Sequence, residues 1–145
     1  MHYYILMGKH YKNNHKNKIY LNETQLNLER YGIISINCDV YVSITCCRVL
    51  HDNFCGEFYV YPASISTMDG LTSSHFYKLR PSLIVEKESQ LKLFRNLQKV
   101  EETNCFIINE NVHTVFKKHN IEGYLPQIYK PLTTLQENTK QLQIF

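Results

Sequence analysis

The chain has 145 residues, 43% apolar and 20% charged, with a formal net charge of +3. That length suits one domain with a real core, about 68–70% of the unfolded surface being buried at this size. So small a net charge, with no clustered basic face, excludes an electrostatic case for nucleic acid.

Eleven tyrosines and seven phenylalanines, with no Trp, make the chain aromatic-rich. Most such rings belong in a core, while those on a surface mark a binding patch. Five cysteines is an odd number. The start, MHYYILMGKHYK, is short, mixed and soon basic, unlike a secretory signal. No apolar run approaches the 18 or so residues of a membrane span. Reduced thiols in a cytoplasmic setting are therefore expected.

Tyr3 to Met7 is a short apolar run and a first strand, followed by the polar, basic loop GKHYKNNHKNK. Ile19 to Leu21 pairs briefly, and Asn22-x-x-Gln25 approximates the capping box of a short helix ended at Tyr31-Gly32. Ile33 to Asn37 leads into the densest strand signal. Val40, Tyr41, Val42, Ile44 and Thr45, and then Phe58 to Tyr61, are β-branched or aromatic, and His51-Asp52-Asn53 with Cys55-Gly56 between them carries turn chemistry. This predicts a central β-hairpin over about 40–61, with Pro62 ending its second strand or marking a sheet edge. On such a strand Cys46 and Cys47 face opposite sides, so they cannot form a vicinal disulfide or ligate one metal together.

Residues 66–76 read as loop, with Asp69-Gly70 a turn signal, and Leu79-Arg80-Pro81 continues it. Leu91, Phe94 and Leu97 recur at helical spacing and predict a helix over about 86–99. Cys105 to Ile108 reads as a buried strand. Asn109 is a good N-cap, and a helix over about 110–119 follows with Val112, Val115 and Phe116 inward. Pro126 and Pro131 punctuate the approach to the tail, where residues 132–145 read as a last hairpin or a loosely packed arm. The expected fold is a single α+β domain: a mostly antiparallel sheet built on the hairpin, with two or three helices on one face.

Three constellations bear on function. Cys47, His51 and Cys55 recur every four residues, yet no Cys-x-x-Cys pair occurs and the spacing suits a helix that the β-rich sequence contradicts, so no metal is expected. Thr45-Cys46, followed by a strand, a Gly-containing turn and a second strand, resembles the start of the cysteine glutamine/asparagine deamidases. That resemblance implies a Cys46 nucleophile attacking a carboxamide with help from a His. Tyr59 or Tyr61 stands nearest the place of the family's His, which leaves His51 in the turn or His75 beyond the second strand, and His75 is taken as the base under this resemblance.

CFIINENVHTVFKKHNIEGY, from Cys105 to Tyr124, looks like the closing strand–helix–strand unit of bacterial polymorphic-toxin immunity proteins. Asn109 stands where Ser is usual there, while Glu110, Val112, Val115, Phe116, Ile121 and Gly123 match in place. The opening Met1 to Leu6 is also similar. The stretch from Cys46 to Phe94 is loosely similar to the double-CXXCG relatives, but with Cys46-Cys47 and Cys55-Gly56 in place of complete motifs, so no zinc site carries over. This resemblance implies stoichiometric, cofactor-free capture of a protein toxin, not of nucleic acid or membrane. Tyr59, Tyr61, Phe76 and Tyr77, flanking the hairpin and its following loop, are the expected partner-binding residues.

Overall fold

The computed structural model describes residues 2–130. Its first half carries strands β1 (Tyr3–Ile5), β2 (Lys9–Tyr11) and β3 (Ile19–Leu21), a one-turn helix α1 (Gln25–Leu28), strands β4 (Ile33–Ile36) and β5 (Asp39–Ser43), and helix α2 (Ile44–Phe54). Strands β6 (Phe58–Pro62), β7 (Ile65–Thr67), β8 (Thr72–Ser73), β9 (Phe76–Pro81) and β10 (Ile84–Val85) follow. Then come β11 (Leu97–Val100), β12 (Cys105–Asn109), helix α3 (Glu110–Lys118) and β13 (Gln127–Tyr129). The expected C-terminal arm, 132–145, lies outside the described residues.

The α+β class is as the composition and periodicity suggest. The strands form three sheets, ordered β10-β11-β12-β1-β13, β2-β4-β5-β9-β6 and β3-β7-β8. Three of their strand pairs are parallel (β2 with β4, β3 with β7, β10 with β11) and the rest antiparallel.

The central hairpin is not what forms over 40–61. Ser43 ends β5 in extended geometry, and its side chain accepts a 3.2 Å hydrogen bond from the Cys46 N–H. That capping bond satisfies one of the donors a helix start leaves open, and the chain turns into α2. Cys46, Cys47, Leu50 and Phe54 then fall on one inward stripe. Helical spacing thus overrides the β propensity of Ile44 and Thr45, which sit in the first turn. Gly56, at φ +86°, makes the turn out of the helix.

β5 and β6 do not pair with each other. Both flank β9, with Tyr41 opposite Lys78 on one side and Tyr59 opposite Arg80 on the other. The strand that joins them, β9, is therefore built from residues that read as loop in the sequence. Pro81 lies within β9, and Pro62 ends its neighbour β6. Phe58 stands opposite Pro81 and Pro62 opposite Tyr77, while the backbone bonds of this pair fall on the alternate residues, among them Ala63 N–H to Phe76 O. Neither proline is asked to donate.

The helix expected over 86–99 is also absent. A single 3-10 turn, Glu88–Gln90, precedes β11. Leu97 is fully buried while Phe94 is 91% exposed, so the apolar recurrence does not describe one face. The buried Gln98 amide closes the loop instead, accepting from Lys92 N–H at 2.9 Å and donating to Lys92 O at 2.8 Å. The second expected helix is present as α3, capped by Asn109.

Three cores hold the layers together. Val40 and Val42 of β5 enter the first, with Leu97, Phe106 and Ile108 of the sheet containing β1 and with the inward faces of α2 and α3. Tyr41, between them, points into the second, with Ile34, Phe76, Leu21 and Leu28 of α1. The middle sheet is thus covered on both sides, and the helices are not all on one face. A third cluster, Val85, Val100 and Ile107, lies on the other face of β11 and β12. Gly8 lets the backbone after β1 cross β4 closely: a Cβ there would meet Ile33 C and O at 2.6 Å.

A candidate binding face on strand β6

The start of β6 is held by a polar network. Glu57 accepts from Asn96 Nδ2 at 2.6 Å and pairs with Arg95 Nε at 3.4 Å. Asn96 Oδ1 in turn accepts from Asn109 Nδ2 at 2.8 Å, the residue that caps α3. The network ties β6 to the neighbouring sheet and to a helix N-terminus, so the strand is presented on a rigid base.

Along β6 the side chains alternate. Phe58 and Val60 pack against the first core, whereas Tyr59 and Tyr61 are 58% and 47% exposed. Tyr59 stands beside Arg80 and Tyr61 beside Lys78, their register partners on β9. Both basic residues are exposed. Lys78 pairs with Asp39 at 3.4 Å. A cleft of about 390 Å³ opens beside this face, lined among others by Cys38, Asp39, Tyr61, Arg80, Lys99 and Glu101. Lys78 is a further lining residue, so three cations meet two carboxylates there.

The four aromatic residues singled out in the sequence do not form one patch. Phe76 is fully buried in the second core, so it is a packing residue and not a surface anchor. Tyr77 is half-buried and lies opposite Val42 and Pro62 in the register, on the other face of the sheet from Tyr59 and Tyr61. Arg80 and Lys78 went unrecognised because their strand read as loop. The alternation of Phe76, Lys78 and Arg80 with Tyr77, Leu79 and Pro81 was the signal available.

Cys46 is fully buried in the first core, and burial pushes its thiol pKa far above the ordinary 9.0, with Cys47 beside it adding to the rise. His75 is not brought to it. The His75 ring stands edge-on to Phe76, a member of the second core, at 4.9 Å. A Cys–His contact exists at the end of α2, where His51 Nε2 lies 3.6 Å from Cys55 Sγ on the surface. Cys47 points inward, so the four-residue recurrence does not converge. Among the described residues no group of three or more His, Cys, Asp or Glu side chains could hold a metal ion.

A second polar cluster, around His113, was not visible in the sequence. The Tyr4 ring stacks on His113 at 3.9 Å, and His113 Nδ1 shares a 2.7 Å hydrogen bond with the Tyr124 hydroxyl. Burial drives the His113 pKa below its ordinary 6.5 and the Tyr124 pKa upward. The three side chains close α3 against β1.

No protein-family model matches the chain, and no curated protein matches it. No helix among the described residues is long and apolar enough to cross a membrane.

Proposed function

We propose that this chain is a non-catalytic binding protein that captures a protein partner through the outer face of β6. Following the resemblance to bacterial polymorphic-toxin immunity proteins, the partner is a toxin met in the cytoplasm. One observation carries the reading: Tyr59 and Tyr61 are exposed side by side and stand in register with Arg80 and Lys78. Tyrosine and arginine dominate the energetics of protein interfaces because they offer large rigid contact area with polar tips. Stoichiometric capture needs no cofactor and no assembled nucleophile.

The competing proposal is a cysteine glutamine/asparagine deamidase with Cys46 as nucleophile and His75 as base. It requires the thiol to leave the first core and reach a His that packs elsewhere.

Co-expression with the polypeptide encoded beside this chain in its genome tests the reading. The expected result is restored growth together with a one-to-one complex by light scattering. Replacing Tyr59 and Tyr61 together by Ala should abolish both while circular dichroism stays unchanged. Restored growth with no complex would overturn capture and favour catalysis.

A further inference from the structure

The edge of β6 itself is open. It is the terminal strand of its sheet, and its backbone alternates in direction. Ser82 N–H donates to Glu57 O and Ala63 N–H to Phe76 O, so residues 57, 59, 61 and 63 turn their backbone groups to β9. By the antiparallel rule, the N–H and C=O of Phe58 and Val60 point the other way. No other described strand pairs with them. Edge strands are ordinarily blunted by charged side chains, proline or a bulge, because an open edge templates a further strand. Between Phe58 and Tyr61 this edge carries none of these, and Pro62 interrupts it only at its end.

The charge around the edge selects what pairs with it. Lys78 is matched by Asp39, which leaves Arg80, exposed and in register with Tyr59, as the unmatched charge among the described residues on the face that β6 and β9 share. An added strand lies two strand spacings, roughly 10 Å, from β9, a span that extended Arg and Glu side chains bridge across the intervening Tyr59 ring. A second copy of this chain fits badly, since two-fold pairing of β6 with itself would bring the same cationic face together.

We propose that β6 is a strand-docking site for an acidic, extended segment of the partner protein. The segment adds to the sheet by main-chain bonds to Phe58 and Val60, and its carboxylates alternate onto the face of Tyr59, Tyr61 and Arg80. This rests on the reading of the chain as a binding protein and specifies what that face recognises.

The test uses the whole chain, labelled with ¹⁵N, and two short synthetic peptides, one alternating Glu and Val and one alternating Lys and Val. The Glu peptide should shift the Phe58 and Val60 amides and slow their hydrogen exchange. Its affinity should fall with added salt, and Arg80→Glu should weaken it about tenfold, as charge reversal at a partly exposed interface does. Equal or tighter binding of the Lys peptide at the same amides would overturn the acidic specificity while leaving β6 as the binding face. Neither peptide moving those amides would overturn strand docking, whereas capture as such stands or falls on the growth and complex assay with the tyrosine double variant. A concentration-dependent dimer of the free chain that shifts the same amides would overturn the choice of a foreign partner.

Discussion

At the scale of single residues, exposure separates side chains of similar chemistry. Phe76 and Tyr59 both belong to aromatic strand segments, yet one fills a core and the other faces out. Phe76→Ala should cost about 3–5 kcal/mol, the range for emptying a buried ring site, measured by urea unfolding. Tyr59→Ala should change stability by no more than about 0.5 kcal/mol, as surface substitutions usually do. Composition showed that the chain is rich in aromatic rings but could not say which were outside. That depended on the β6–β9 register, and hence on recognising Phe76–Pro81 as a strand despite its proline. The same holds for Cys46. A thiol before a supposed turn looks accessible, but a thiol on the inward stripe of a helix does not.

At the scale of elements, the decisive local signals were caps. Asn109 announced α3, because Asn followed by Glu before an apolar stripe has one strong reading. Its side chain accepts from the Asn111 and Val112 N–H groups at 3.0 and 3.3 Å and donates to Asn96. Asn109→Ala should therefore lose about 1–2 kcal/mol by denaturant unfolding. Asn109→Asp, which keeps the accepting oxygen, should avoid most of that loss. Ser43 is an equally good cap, but the β-branched residues around it outweighed it in the sequence, so α2 was read as a strand.

The contact of α3 with β1 also gives a pH dependence. The His113 pKa is depressed in the folded chain by burial foremost, with Lys117 also lowering it and Glu110 opposing. Below the ordinary 6.5 the unfolded chain binds a proton that the folded chain resists. The stabilisation is full above that pH and is lost as pH falls through 6.5 toward the folded value. Tm measured across this range should drop less steeply for His113→Gln than for the parent chain. Equal slopes would remove His113 as the cause.

At the scale of the whole molecule, three sheets enclose cores on both faces of the middle one, an arrangement that local patterns could not specify. The α+β class followed from the mixture of strand and helix periods. The order β2-β4-β5-β9-β6 did not, because it places strands far apart in the chain beside one another. Close backbone crossings make the layering possible. Gly8→Ala, forcing a Cβ to within 2.6 Å of the Ile33 backbone, should lower the unfolding midpoint by more than an exposed Gly→Ala would, because backbone rather than a flexible side chain must yield.

We propose that this chain acts by binding through its β6 face, and Cys46 belongs to the packing of the first core. The most direct test is timed iodoacetamide labelling of the folded protein at neutral pH, read cysteine by cysteine by mass spectrometry. Cys38 and Cys55 are exposed, Cys46 and Cys47 buried. Cys38 and Cys55 should label first, and Cys46 only when the protein unfolds. Rapid, His75-dependent alkylation of Cys46 in the folded chain would contradict this reading and point to a cysteine enzyme.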